Sequence, residues 1–224
     1  MKLKEYPDRD MMMIDLADAL ASEINAGLMT HDRVSLAVPG GTTPGPVFDT
    51  LSAVDLDWAR VSVLLTDERW VPESSDRSNA RLVRQRLLTD RAAKAEFVGY
   101  YRDGLEPDAA LAAVGEELGA VLPLSVLLLG MGADMHTASL FPGADRLADA
   151  LSDDAPPLMA LRAPGAPEPR VTLTAPALKG AMSTHILITG ADKRRALENA
   201  VDLADSQKAP VCVVLQNATV HWAE

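Results

Sequence analysis

Cysteine is all but missing from this 224-residue chain, since Cys212 stands alone. That excludes an intrachain disulfide, a thiolate-cluster zinc site and a CxxC redox pair, and it fits a reducing, cytoplasmic setting. Basic residues are also in short supply. Lys and Arg number 21 against 32 Asp and Glu, a formal net charge of −11, so the average field repels a nucleic-acid duplex or an anionic membrane surface. A long apolar run is lacking too: the best candidate, Leu118 to Ala133, is interrupted by Pro123 and glycines and falls short of the roughly 20 apolar residues that cross a bilayer. The first ten residues, MKLKEYPDRD, are charged and have no apolar core of the kind a secretory signal needs. Neither membrane nor nucleic acid is expected as a partner.

Several catalytic signatures are absent as well. There is no GxSxG, so Ser139 sits in no nucleophile elbow, and there is no HExxH, so no zincin metal site is indicated. The glycines at 130 and 132 are followed by Met135 in place of a third glycine, which removes a dinucleotide fingerprint.

What remains is the composition of a folded chain. Hydrophobic residues make up 48% and charged ones 24%, enough apolar mass for one compact domain over residues 1–224. Helical periodicity over Met11–Leu28 leads into a short apolar run, Val34–Val38, and the alternation continues along the chain. Strands are expected at Val61–Leu65, Ser125–Leu129, Leu158–Leu161, Arg170–Thr174, His185–Thr189 and Val211–Leu215. Helices are expected near Asn79–Leu88, Pro107–Leu118 and Lys193–Ala204. Short Leu- and Val-rich strands alternating with helices predict an α/β fold: a doubly wound, mainly parallel sheet with helices on both faces. Ligands of such sheets gather at the carboxyl ends of the strands.

Three segments follow predicted strands directly. Pro39–Gly45, PGGTTPG, offers adjacent glycines that let backbone approach an anion and two threonine hydroxyls. It serves equally as a plain chain reversal, and Pro46 and Val47 rule out a Walker A loop. Thr66–Pro72, TDERWVP, with Ser78 and Asn79 close behind, is either a solvated ion-pair cluster or a seat where Arg69 faces inward with a neighbouring carboxylate holding its guanidinium. Gly130–Gly143, GMGADMHTASLFPG, places Asp134 two residues before His136, ahead of a helix expected to start at Thr137 or Ala138. A carboxylate that orients an imidazole makes a general base suited to neutral pH. His31, His185 and His221 take the default reading of structural hydrogen-bonders. Lys193 near a helix N-terminus opposes the helix dipole, a conflict that an anion docked there would offset.

These segments together resemble the 6-phosphogluconolactonases, within the wider group that includes glucosamine-6-phosphate deaminases. PGGTTP is similar to that family's SGGSTP loop, TDERWVP with Ser78-Asn79 to its DERxVP…SN segment, and GMGADMHTASLFPG to its GxGxDGHTASLFPG signature; RVTLT and GADK follow in the family's order. The SLFPG continuation separates lactonases from deaminases, which carry GHIAFNEP. The resemblance implies a Rossmann-like fold similar to glucosamine-6-phosphate deaminase, and hydrolysis of 6-phospho-D-glucono-1,5-lactone with no metal and no organic cofactor. It implies His136 as general base and Asp134 as its partner. Gly40, Gly41, Thr42, Thr43, Asp67, Arg69, Asn79, Arg170 and Lys193 would hold the phosphate and sugar. A cytoplasmic monomer or weak homo-oligomer is expected. The alternatives are a deaminase-like isomerase and a non-catalytic sugar-phosphate sensor. Met135 departs from the family's glycine; a left-handed backbone at that position would cost a Met on the order of 1 kcal/mol and threaten the placement of His136.

Overall fold

A computed structural model describes residues 1–224 and shows strands and helices alternating along the chain. In order they are β1 (Lys2–Glu5), α1 (Arg9–Thr30), β2 (Val34–Val38), α2 (Gly45–Ser52), β3 (Val61–Leu65), β4 (Asp67–Arg69), α3 (Asn79–Arg86), β5 (Glu96–Val98) and α4 (Pro107–Gly119). There follow β6 (Val126–Gly130), α5 (Leu147–Leu151), β7 (Leu158–Leu161), β8 (Arg170–Leu173), α6 (Ala175–Lys179), β9 (Ser183–Thr189), α7 (Ala191–Leu203), α8 (Cys212–Leu215) and β10 (Thr219–Ala223).

Seven strands form the main sheet in the order β1-β10-β9-β6-β2-β3-β5, and every pairing in it is parallel. Strands β2 and β3 are buried along their whole length, which is why, apart from Ser35 and Ser62, they read as apolar runs with no alternation. From β2 the chain moves outward through β3 to β5, then returns to β6 beside β2 and moves the other way through β9 to β10. Right-handed crossovers put helices of the two excursions on opposite faces. On one face α1 packs against α2 and α2 against α3, and on the other α6 packs against α5 and α8. A cluster of 59 buried hydrophobic residues fills the interior.

The longest helix shows how local sequence sets an element. Asp8 caps α1, its carboxylate accepting the Met11 N–H at 2.8 Å, and Met12, Leu16, Leu20, Ile24 and Leu28 form the buried stripe at helical spacing. Polar groups also enter this interface as a chain. Glu23 bonds the His185 ring at 2.9 Å, His185 bonds His221 at 2.9 Å, His221 bonds the Tyr6 hydroxyl at 2.8 Å, and Tyr6 donates to Asp15 at 2.6 Å. Burial, with the neighbouring His185 and Lys4 charges, pushes the His221 imidazole down to about 4.

Three expectations change. The run Val211–Leu215 is not a strand: Cys212–Leu215 is a helical turn, and the strand lies at Thr219–Ala223. Four apolar residues in a row do not distinguish the two forms, and Pro210 favours helical entry, with the Val213 N–H bonded back to its carbonyl. Arg170–Thr174 does not join the main sheet. Its β8 forms a second, antiparallel sheet in the order β4-β8-β7. Finally, no helix begins at Thr137. Ala138 adopts φ +49 and Thr137 bridges to Leu140, a tight turn whose left-handed residue cannot continue a right-handed helix. No helix is long and apolar enough to cross a membrane.

Candidate active site

The direction of winding reverses between β2 and β6, and the carboxyl ends of these neighbours open a crevice where doubly wound sheets bind ligands. A cleft of about 230 Å³ lies there. Gly40 and Gly41 enter it after β2, Asp67 and Arg69 after β3, Gly130 and Gly132 at and after β6, and Thr189 at the end of β9.

His136 lines this cleft and Asp134 stands beside it. The Asp134 carboxylate bonds His136 Nδ1 at 2.5 Å and also accepts the His136 backbone N–H at 3.3 Å. Because an ionised carboxylate only accepts, Nδ1 carries the hydrogen in the neutral ring and Nε2 keeps its lone pair. Partial burial works against ionisation of Asp134, but the adjacent His136 charge and its hydrogen bonds prevail and hold the carboxyl below its ordinary value. The turn is closed by Gly132, which donates to the His136 carbonyl at 2.9 Å and accepts from Met135 at 3.0 Å. A β-carbon on Gly132 would lie 2.1 Å from His136 Nδ1 and 2.2 Å from Asp134 Oδ1, so only glycine leaves room for the pair.

Met135 does adopt the left-handed backbone, at φ +66. That costs roughly 1–2 kcal/mol, and His136 beside it still bonds Asp134 and lines the cleft. The Met135 carbonyl accepts the Val211 N–H at 3.1 Å and its side chain packs against the core, and these contacts hold the turn.

Three cations face the same cleft. Arg69 and Arg170 stand directly opposite each other across β4 and β8, an arrangement of like charges that destabilises a strand pair. Each has a buried Nε without a hydrogen-bond partner, and burial, beside the opposing Arg69 charge, pulls the Arg170 guanidinium below its usual value despite Asp67 at 3.8 Å. Two unpaired guanidinium donors on one rim suit an anion. Lys193 lies in the first turn of α7 and donates to the Met131 carbonyl at 2.6 Å, which leaves two further N–H groups on its ammonium. Burial lowers its pKa, opposed by Asp134.

The acidic pair between β3 and α3 organises this rim. Asp67 accepts from Ser139 Oγ at 2.6 Å and Thr66 Oγ1 at 3.2 Å. Of the two readings open for this segment, a solvated ion-pair cluster or an Arg69 held by a neighbouring carboxylate, Glu68 fits neither, being buried and bonded to backbone N–H groups. Its carboxylate accepts the N–H groups of Asn79 at 2.7 Å and Ala80 at 2.8 Å, at the start of α3, where the helix dipole favours an anion. Burial pushes its pKa up against those donors. Arg69 is anchored instead by the Arg77 carbonyl at 2.8 Å. Asn79 donates to the Asp67 carbonyl at 2.8 Å, and its amide fills the space beside Gly40, where a β-carbon would meet Oδ1 at 1.9 Å.

Residues 7–222 match the family model described as glucosamine-6-phosphate isomerases/6-phosphogluconolactonase. The chain belongs to this family. It is 41% identical over 214 residues to the 6-phosphogluconolactonase of Rhizobium meliloti (strain 1021), covering 93% of this chain and 92% of that protein. A 6-phosphogluconolactonase structure from Shewanella baltica OS155 superposes with a TM-score of 0.96 at 32% identity, over 100% of this chain and 98% of that one. A monomeric glucosamine-6-phosphate deaminase shares the fold with a TM-score of 0.81 at 15% identity, over 99% of this chain and 97% of that one.

Of the residues the family resemblance nominates, Gly40, Gly41, Thr43, Asp67, Arg69, Asn79, His136, Arg170 and Lys193 line the cleft together. Thr42 does not; it is exposed, and its carbonyl accepts the Gly45 N–H at 3.3 Å. Asp134 does not line the cleft and sits behind His136, bonded to Nδ1. Ser139, in no nucleophile elbow, is buried as a donor to Asp67, and Thr189, at the end of its strand, lines the cleft without any motif to announce it. No group of three or more His, Cys, Asp or Glu side chains is placed to hold a metal ion.

Proposed function

We propose that residues 1–224 act as a single 6-phosphogluconolactonase domain, opening 6-phospho-D-glucono-1,5-lactone to 6-phospho-D-gluconate in the oxidative pentose phosphate pathway. The observation that carries this reading is a carboxylate-oriented imidazole with a free Nε2 in the same cleft as two cross-strand arginines whose buried Nε groups lack partners.

His136 Nε2 takes a proton from water as its oxygen adds to the lactone carbonyl carbon. The tetrahedral intermediate collapses, the bond from that carbon to the ring oxygen breaks, and the imidazolium returns its proton to the departing oxygen. Asp134 keeps the correct tautomer and stabilises the imidazolium. The lactone is already electrophilic, so the step needs a positioned water and no covalent nucleophile. Arg69, Arg170 and Lys193 hold the phosphate, remote from the reacting carbon, and its binding energy orients the carbonyl. These three cations reverse locally the field of a chain whose net charge is −11. Gly40 and Gly41 let the ligand approach backbone, while Thr43, Asp67 and Asn79 complete the sugar side.

The substrate is a small phosphorylated lactone, and the protein works in the cytoplasm as a monomer or weak homo-oligomer, engaging neither nucleic acid nor membrane. Side-by-side assays of 6-phosphogluconolactone, unphosphorylated gluconolactone and glucosamine 6-phosphate test the reading. It requires fast opening of the first, weak opening of the second and no ammonium from the third; ammonium release overturns it in favour of a deaminase.

A further inference from the structure

His136 Nδ1 donates to the Asp134 carboxylate at 2.5 Å, which holds one edge of the imidazole, and a general base works only while its Nε2 stays aimed. A second contact supports the face of the ring. The half-buried ring of Phe141 stacks on the imidazole, with centroids 4.0 Å apart and planes 27° apart. The Arg170 guanidinium lies 5.2 Å from the centroid of the same ring.

Phe141 is itself held firmly. It belongs to the turn in which Ser139 is fully buried, donating its hydroxyl to Asp67 at 2.6 Å and its N–H to Thr172 Oγ1 at 3.1 Å. The Phe141 N–H bonds the Ser139 carbonyl at 3.1 Å, and its own carbonyl accepts from Ala144 at 3.1 Å. Asp67, through Ser139, therefore anchors the backbone that presents the aromatic ring to His136.

We propose that Phe141 is a positioning residue for lactone opening, setting the plane of His136 by stacking and stabilising the imidazolium that forms as water loses its proton. An aromatic face carries negative potential and attracts a cation, so the stack strengthens as charge develops on His136 and contributes more to the transition state than to the resting enzyme. By touching Arg170 as well, one ring joins the base to the anion seat. This inference rests on the lactonase reading with His136 as base.

The test uses Phe141→Leu, which keeps an apolar side chain without a π face, and Phe141→Tyr, which restores the ring. In Phe141→Leu, kcat falls on the order of tenfold while KM moves by less than about threefold. The acid limb of its kcat profile shifts toward lower pH by about half a unit, since the protonated ring has lost its support. Phe141→Tyr recovers most of kcat. Full kcat in Phe141→Leu overturns the proposal, and so does equal loss in both variants, which would assign the effect to packing alone. If Phe141→Leu does not fold, NMR of the native protein decides: ring current from Phe141 moves the His136 ring protons upfield of those of the exposed His31, and an unshifted His136 overturns the stack. His136→Ala assayed in parallel keeps the two readings apart, because activity surviving in that variant defeats the lactonase mechanism itself, while its loss beside an unimpaired Phe141→Leu defeats only the role of Phe141.

Discussion

Replacing Gly132 with Ala adds one methyl group and leaves every charged and hydrogen-bonding side chain in the cleft in place. That methyl would sit 2.1 Å from His136 Nδ1 and 2.2 Å from Asp134 Oδ1, whereas ordinary carbon–heavy-atom contacts need about 3.5 Å or more. The pair must therefore retreat by more than about 1 Å, and misplacement of even about 1 Å costs roughly a hundredfold in rate. Gly132 is not among the residues with positive φ, so Ala meets no backbone strain. Its stability cost is overpacking, about 1–3 kcal/mol, partly offset by about 0.4–1 kcal/mol from a stiffer unfolded chain. Gly132→Ala is thus expected to fold, with urea midpoint lowered modestly, and to lose about two orders of magnitude in kcat against freshly prepared lactone. A folded Gly132→Ala enzyme with kcat near the native value would refute the geometric account of the base.

Arg69→Ala removes one member of the cross-strand pair and should raise KM by about ten- to a hundredfold, the worth of one or two charge-assisted hydrogen bonds, with little change in kcat; steady-state kinetics showing the reverse split would place Arg69 at the reacting carbon. Stability should also depend on His221. Its imidazole is pushed down to about 4 by burial and the nearby His185 and Lys4 charges, against about 6.5 in the unfolded chain. The unfolded state binds the proton first, so this contribution is complete above about pH 6.5 and is lost as pH falls toward 4, amounting to about 3 kcal/mol. Urea unfolding at pH 7 and pH 4.5 measures it, and a fall of equal size in His221→Asn would contradict the assignment.

Much of this architecture was legible because parallel central strands leave a plain trace. Val34–Val38 and Val61–Leu65 are buried on both faces, and such strands are nearly continuous apolar runs, broken here only by Ser35 and Ser62. The meeting of Asp134 and His136 at the cleft was legible too, since the two stand two residues apart just after a predicted strand, where such sheets open their binding crevice. The second sheet left no such trace: β4 spans three residues, Asp67 to Arg69, and its partner β8 looks like any other parallel strand until its neighbours are known. The run at Val211–Leu215 misled because apolar residues bury equally well in a helical turn. The role of Glu68 was hidden for a different reason. A carboxylate beside an arginine suggests an ion pair, but the free N–H groups opening α3 compete for it and prevail, and that competition becomes visible only when residues 68 and 79 are brought together.

The central claim is that His136 activates water for lactone opening. Hydrolysis of freshly generated 6-phosphogluconolactone, with the spontaneous rate subtracted, measured for the native protein beside His136→Ala, tests it most directly. The account predicts turnover well above background in the native protein and its loss in His136→Ala without loss of the folded state. Undiminished turnover in His136→Ala, or a native protein that binds the phosphorylated ligand and never turns it over, would contradict it.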